Sequence, residues 1–470
     1  MKDTKLILLL SAAALLAGCA TVREARRAQE TDTERTVRWA ETPFAAREGA
    51  LPMHELASWA RTNAPAVVQA RQDVVQAQIA LRAIKAAYVP VVDGSIAYTY
   101  ASQNIDPHDT KWDGEGAWGG NLSLNWLLYD FGRTRASTRR AVAALAAADR
   151  AEREAENGAV YAVRAGVYAV NRAKEMLKVA TAATASYEEH LRQTKDRFDV
   201  GAAMNYDVSK ANVDYQNARL SEISARNGLA NARASLALAL GLAESPDFEV
   251  EPADAWWPRL PEAPEALMEI ARTNAPALAA LRARAEAAKD YVDWTICDLY
   301  PTLSLRLTFD AKGDSSPLLW NYAAAPAVAQ TLFSAGAKNR QIETAVAQLR
   351  AARSALAEAE QKTWNAILAA TLEADRAKES LSVAQAALDA AEENFEVVSS
   401  RYDVGKASSL ERTDAQVAVT GARANVISAR YDWFDAKILL ARLVGDDSED
   451  GPRFRAGPSP VPPSPVPPEE

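Results

Sequence analysis

Two carboxylates in the last quarter of the sequence are spaced so that they can act together. Glu411 and Asp414 are three residues apart, which puts them on one face of a helix. Repeated around a narrow tube, such a face would form a ring of negative charge that favours cations. Two other roles stay open. Ser408 and Glu411 match a capping box, and Asp414 could be an ordinary solvated acid.

Residues that support enzymatic chemistry are scarce. The three histidines, His54, His108 and His190, have no partner at metal-ligand spacing, and we expect each to lie at the surface. We find no phosphate-binding loop and no dinucleotide fingerprint in the sequence. We therefore predict a protein that is not an enzyme and that holds no metal or cofactor. The net charge of −9 argues against a nucleic-acid partner.

The N-terminal segment carries a cysteine that can accept a lipid. An apolar run, Leu6 to Gly18, follows two lysines; it is too short to span a bilayer and is typical of a signal peptide, 1–18. The run ends in LAGC, which resembles a bacterial lipobox. We predict lipid attachment at Cys19, a lipid-anchored segment over 19–50 and contact with outer-membrane lipid. An ordinary signal peptide is the alternative.

The sequence contains one unit twice. RFDVG at Arg197 recurs as RYDVG at Arg401, and Asn-Ala-Pro-Ala at Asn63 recurs at Asn274. Self-similarity at a fixed spacing indicates a duplicated structural unit. The predicted segments are a first repeat, a connector, a second repeat and a disordered proline-rich tail: 51–242, 243–262, 263–446 and 447–470. The second cysteine, Cys297, is predicted to be a buried small apolar residue.

Each repeat is predicted to contain the same helices. Ala, Leu, Glu, Lys, Arg and Gln dominate long stretches, and these residues favour helix. In both copies a first helix ends before Pro90 or Pro301, a long helix leads to an Asp-Val-Gly turn, and a shorter helix follows. The predicted helices are 51–88, 133–199, 205–240, 263–299, 337–403 and 409–444. Apolar residues at intervals of three, four and seven predict antiparallel coiled-coil packing.

Between the first and the long helix of each repeat, the hydrophobic pattern changes to a period of two. Strand pairs are predicted over 91–131 and 302–334, the last strand over 318–333, with Trp and Tyr near the strand ends. Strands with one apolar and one polar face are typical of outer-membrane β-barrels. Four strands cannot close a barrel, and an open edge cannot lie in lipid, so several chains must contribute. A soluble hairpin on a coiled coil is the alternative.

The repeated Asp-Val-Gly stretch is predicted to reverse the chain between two helices. Gly201 and Gly405 can take positive φ without steric cost, which allows a tight turn. The two turns would place two helical hairpins at the end of the rod farthest from the strands.

The duplicated unit, the lipobox, the strand pairs and the two Arg-aromatic-Asp-Val-Gly turns together resemble the TolC family of outer-membrane efflux proteins. The resemblance implies a mainly α fold, in which long antiparallel coiled-coil helices form a periplasmic α-barrel. It implies a homotrimer with a shared 12-stranded β-barrel in the Gram-negative outer membrane. The implied function is the exit duct of a tripartite efflux pump for small molecules such as drugs and toxic compounds. The implied partners are a periplasmic adaptor and an inner-membrane pump of the RND, ABC or MFS type.

The resemblance also implies roles for single residues. The adaptor-docking tips are matched by Val200, Gly201, Ala202, Val404, Gly405 and Lys406. Asp207 and Tyr402 match a latch that closes the periplasmic gate, while Glu411 and Asp414 match acidic positions that line its constriction. Ala407 stands where some family members have an arginine, so an arginine-based latch there is absent. Asp207 could instead favour the helix N-terminus, and Tyr402 could be core packing.

Two further functions fit parts of the pattern. One is the outer-membrane component of type I protein secretion, and the other is a lipid-anchored structural coiled-coil spacer. A spacer has no need for strands with one apolar and one polar face, which favours a duct over a spacer.

Overall fold

The chain folds into long helices attached to one four-stranded sheet. The computed structural model describes residues 49–102, 114–244, 248–252, 260–313 and 319–445, together with 42–44 and Ala25. The first repeat contains α1 Met53–Asn63, α2 Pro65–Lys85, β1 Val91–Ser102, β2 Gly114–Tyr129, α3 Arg133–Asp199 and α4 Asn205–Ala239. The second contains α5 Pro264–Asn274, α6 Pro276–Cys297, β3 Thr302–Gly313, β4 Leu319–Ala329, α7 Ala337–Asp403 and α8 Ser409–Val444. Both halves follow the same order of elements, as a duplicated unit must.

The first helix of each repeat is interrupted, so the prediction of one continuous helix over 51–88 and over 263–299 was wrong. Ala64 has φ −60° and ψ 135°, and Ala275 has φ −64° and ψ 116°, which are extended conformations. Each alanine precedes a proline, which disfavours helical backbone in the residue before it. Pro65 and Pro276 then occupy the first turn of the next helix, where a missing N–H costs nothing.

The sheet is antiparallel in the order β1-β2-β3-β4, so β1 and β4 are its two edges. Its register aligns apolar residues across strands, such as Gly94 with Leu122 and Leu122 with Phe309. β4 ends at Ala329, earlier than the predicted residue 333, because Ala329 pairs with Thr302, the first residue of β3. The sequence alternation therefore gives a sheet with one apolar and one polar face.

Three apolar clusters hold the helices together. One joins α1 to α3 and α4 through residues such as Leu56, Val163 and Leu236. Its counterpart joins α5 and α6 to α7 and α8 through residues such as Leu267, Leu278 and Ile367, which gives each repeat its own core. The third cluster connects the repeats, because Tyr168 on α3 belongs to it together with four residues of α8: Ile427, Tyr431, Phe434 and Ile438.

The long helices α3 and α7 set the size of the rod. Each has 67 residues, or roughly 100 Å at the rise of an α-helix. α4 packs along α3, and α8 along α7. Every helix of the described segments is too short or too polar to be a candidate membrane span. Cys297, predicted to be buried, is only half-buried because it lies in the last turn of α6 beside the loop that leads to β3.

Candidate functional site

The two hairpin tips at the ends of α3 and α7 have the same backbone geometry. Gly201 has φ 76° and Gly405 has φ 72°, in the left-handed region that glycine tolerates best. At the first tip, the Ala202 N–H donates to the Arg197 carbonyl at 2.7 Å; at the second, the Lys406 N–H donates to the Arg401 carbonyl at 2.7 Å. These bonds close each helix before the chain reverses.

The residues predicted to dock an adaptor lie on the surface of these tips. Val200 is 79% exposed and Val404 is 67% exposed, which is unusual for valine. The other four are exposed as well: Gly201, Ala202, Gly405 and Lys406. The tips therefore expose small and apolar groups together with one lysine side chain.

The predicted acidic residues begin the helices that leave the tips. Ser408 and Glu411 form a full capping box: the Ser408 N–H donates to Glu411 Oε2 at 2.8 Å, and the Glu411 N–H donates to Ser408 Oγ at 3.2 Å. The capping role of Glu411 is thus observed. Asp414 lies one turn further along the same helix and is exposed, so both carboxylates face away from the subunit's interior. Asp207 accepts a hydrogen bond from the Met204 N–H at 3.1 Å, at the start of α4.

Tyr402 lies in a buried cluster and not at the surface. Its side chain is 4% exposed, and the Arg197 guanidinium carbon lies 4.1 Å from the ring centroid. The Arg412 guanidinium carbon lies 5.4 Å from the same centroid, and the His190 ring meets it edge-on at 5.5 Å. Among the described contacts, none joins Tyr402 to Asp207, so the structure does not bring these two predicted latch residues together.

Sequence reasoning missed the polar members of this cluster. His190, predicted to lie at the surface, is 3% exposed because it faces the start of α8 across the subunit. His54 is exposed as expected, and His108 lies outside the described residues. One signal was present: His190, Thr194 and Arg197 follow at helical intervals of four and three, which puts them on one face of α3.

The cluster links the two hairpins by hydrogen bonds. His190 Nε2 lies 3.1 Å from Ser409 Oγ, and Arg412 Nη1 is hydrogen-bonded to His190 Nδ1. Arg197 Nη2 donates to the Tyr402 carbonyl at 3.1 Å. Burial and then the Arg412 guanidinium lower the pKa of His190 to about 4. Burial also lowers the pKa of Arg412. The imidazole is therefore neutral near pH 7.

A cavity lies beside this cluster, where α3, α7 and α8 meet. Its volume is about 320 Å³. Glu392 and Arg423 form an ion pair at 2.7 Å in its wall, and Phe395 supplies an aromatic surface. A smaller void of about 10 Å³ touches His190 and Arg412. The described residues contain no group of acidic, histidine or cysteine side chains placed to bind a metal.

Comparisons with known proteins agree with this architecture. The model of the outer membrane efflux protein family matches residues 56–242 and 267–446. Outer membrane protein TolC of Vibrio cholerae is 26% identical over 310 residues, covering 63% of this chain and 69% of that protein.

Two solved structures share the fold and confirm the predicted combination of long helices and a few strands. A membrane protein from Pseudomonas aeruginosa has a TM-score of 0.74 at 20% identity and covers 85% of this chain and 92% of its own. The Campylobacter jejuni CmeC outer membrane channel has a TM-score of 0.73 at 16% identity and covers 84% of this chain and 86% of its own. Since the family model matches both repeats over most of their length, the chain belongs to the outer membrane efflux protein family.

Proposed function

We propose that this chain forms the outer-membrane exit duct of a tripartite efflux pump for small molecules such as drugs and toxic compounds. The observation that carries the proposal is the four-stranded sheet, whose edges are β1 and β4. An open sheet edge in lipid leaves backbone hydrogen-bonding groups unsatisfied, which costs several kcal/mol per group. Three copies would supply twelve strands and close the wall, with the polar faces around a water-filled lumen.

The two faces of the sheet support an aqueous lumen inside an apolar wall. Polar side chains pair across strands on one face: Asn121 donates to Asp310 at 2.6 Å, and Arg306 donates to Asn125 at 2.9 Å. On the other face, Ile96 is 82% exposed. An apolar surface of this kind needs a lipid or protein neighbour.

Aromatic side chains mark both ends of the sheet. Tyr98 and Trp118 pack at 5.1 Å near the end of the sheet at which β1 finishes and β2 begins. Tyr129 and Phe131 pack at 4.8 Å where the sheet meets the helices. Aromatic residues concentrate at both interfaces of a bilayer, so two such groups support a sheet that spans the outer membrane.

The hairpin tips are the proposed docking site for a periplasmic adaptor, which would connect the duct to an inner-membrane pump of the RND, ABC or MFS type. The exposed Val200 and Val404 support this role, since an exposed apolar group at the end of a rod suits a protein contact. The proposed docking residues are those predicted from the sequence: Val200, Gly201, Ala202, Val404, Gly405 and Lys406.

The proposed constriction is the ring of Asp414 and Glu411 at the start of α8, with Asp207 and Tyr402 controlling how far the helices open. The exposure of Asp414 supports this, because an acid without a capping role remains free to face the passage. Three symmetry-related copies would concentrate negative charge and favour cations.

Lipid attachment at Cys19 remains a proposal, because Cys19 lies outside the described residues. It can be tested with labelled palmitate: wild-type protein should take up the label and Cys19→Ser should not. Labelling of the serine variant would contradict attachment at this residue.

Single-channel recording in planar bilayers tests the duct. We expect wild-type protein to conduct and to prefer cations, and we expect Asp414→Asn to lower that preference. Glu411→Gln is the matched variant, since an amide oxygen can still accept the cap hydrogen bond. Absence of current from the wild type and from the combined Asp414→Asn and Glu411→Gln protein would contradict the proposal.

A further inference from the structure

The His190–Arg412 contact joins α3 to the start of α8, at the end of the subunit where the proposed constriction lies. His190 lies on α3, while Ser409 and Arg412 lie in the first turn of α8, next to the acids of the proposed constriction. We propose that His190 and Arg412 form a proton-sensitive clamp, which holds the start of α8 against α3 while His190 is neutral and releases it when His190 binds a proton. This inference rests on the proposed function, since it describes how that constriction is regulated.

The hydrogen bonds of the clamp require one form of the imidazole. Arginine has only donors, so His190 Nδ1 must accept the bond from Arg412 Nη1 and cannot carry a proton. His190 Nε2 then carries the proton and donates to Ser409 Oγ at 3.1 Å. Both bonds run from α3 to α8. A second proton on the ring would occupy the position that accepts from Arg412, and that bond would break.

The charges around His190 make protonation costly in the clamped state. Arg412, Arg197 and Lys210 each disfavour the charged imidazole, while Asp214 favours it. Asp214 is already paired with Lys210 at 3.2 Å. Ionisable groups on four helices face the clamp. α3 contributes Glu189 and Arg197, and α4 contributes Lys210 and Asp214. α7 contributes Tyr402 and Asp403, and α8 contributes Arg412. Asp403 and Glu189 favour the charge on Arg412.

The direction of the pH effect follows from the lowered pKa of His190. Free histidine titrates near 6.5, whereas His190 in the clamp has a pKa of about 4. As the pH falls from 6.5 towards 4, the released state binds a proton that the clamped state does not, so the balance shifts towards release. Above that window the imidazole is neutral in both states, and the balance no longer depends on His190.

A small void lies at the clamp, next to the larger cavity. The void of about 10 Å³ at His190 and Arg412 is close to the smallest volume that holds a water molecule. It shares Ser186 and Gln416 in its lining with the cavity of about 320 Å³. Ser186 Oγ donates to Gln416 Oε1 at 2.8 Å, so polar side chains line both spaces beside the imidazole.

The test compares the acid response of wild-type trimers with that of His190→Gln. Glutamine offers an amide oxygen towards Arg412 and an amide N–H towards Ser409, and it does not titrate. We expect the open probability of the wild type in planar bilayers to rise several-fold as the pH falls from about 6.5 to about 4, and that of His190→Gln to rise much less over the same range. All carboxylates are retained in the variant, so the difference isolates His190.

A second variant changes the midpoint and leaves the titrating group in place. Arg412→Gln removes the cation that contacts His190, which should move the acid transition to higher pH. Hydrogen exchange of residues 409–414, corrected for the intrinsic pH dependence of exchange, measures the same release without current. We expect this segment to lose protection in acid in the wild type and to keep it in His190→Gln.

The outcomes separate the clamp from the duct. Equal acid responses of wild type and His190→Gln, in current and in exchange, would overturn the clamp and leave the duct intact. An unchanged midpoint in Arg412→Gln would also overturn it. Loss of protection in acid by wild type alone, with no current from any variant, would support the clamp as a structural contact and contradict the proposed duct.

Discussion

The two hairpin tips share one backbone and differ in what their side chains contact. The equivalent aromatic residues show the difference best: Phe198 at the first tip is 43% exposed, whereas Tyr402 at the second is 4% exposed. The helix that follows the first tip has Met204 at its N-cap position, where no side-chain cap hydrogen bond forms, whereas the helix that follows the second has the full Ser408–Glu411 box. Duplication thus preserved the turn while the second tip became tied to the rest of the subunit.

The largest effect is expected where the shared backbone itself is broken. Gly405→Pro forces φ to about −65° in place of 72° and removes the N–H that donates to the Tyr402 carbonyl. We expect export in a drug-efflux assay to be abolished while the trimer persists on native gels. A bulky residue at Gly201 should have the same effect on export.

Gly421→Ala is the matched control for the turn variants. Gly421 lies within α8, and an added Cβ there meets nothing within 4 Å, so export should be unchanged. If Gly405→Pro also caused the trimer to dissociate, the turns would be needed for folding or assembly. The loss of export could then not be assigned to the tips as docking surfaces.

The next effect distinguishes the buried aromatic residue from the exposed one. Tyr402→Ala removes a buried ring and two guanidinium contacts, and should cost about 3 kcal/mol or more of local stability. Phe198→Ala should cost about 1 kcal/mol or less, because nearly half of that side chain is already in water. Hydrogen exchange at the two tips measures both losses of stability. Equal losses in the two variants would contradict the proposed difference between the tips.

The smallest effect concerns the helix caps and can be tested in both directions. Ser408→Ala should destabilise the start of α8 by about 1 kcal/mol, because the Glu411 N–H loses its acceptor. Met204→Ser should stabilise the start of α4 by a similar amount, about 1 kcal/mol, since Met204 is 74% exposed and Asp207 already supplies the other half of a capping box. Exchange rates in the first turn of each helix report the change. If Met204→Ser did not slow hydrogen exchange at the start of α4, the lower stability of the first tip would have a cause other than the missing cap.

Much of the fold could be predicted because the signals that begin and end its helices and strands are local in sequence. The ends of α3 and α7 follow from the Asp-Val-Gly turns, and the strands follow from strict alternation. The family assignment also confirms that the chain is not an enzyme. The break before Pro65 was readable from the proline itself, and it was missed because the apolar pattern continues on both sides.

The buried polar cluster could not be predicted in the same way. In Ala-rich helices, apolar residues occur on several faces, so the pattern does not show which face meets another helix. Burial of Arg412 and His190 depends on α3 and α8 meeting across the two repeats, a contact between residues more than two hundred positions apart. Charged residues are also rarely buried, so a residue such as Arg412 is expected at the surface from its type alone.

The most direct test of the shared pore is the mass of the detergent-extracted particle, measured by native mass spectrometry. Three chains per particle are predicted, because only neighbouring subunits can pair the exposed edges β1 and β4. A stable single chain, with those edges unpaired and the sheet still folded, would contradict it.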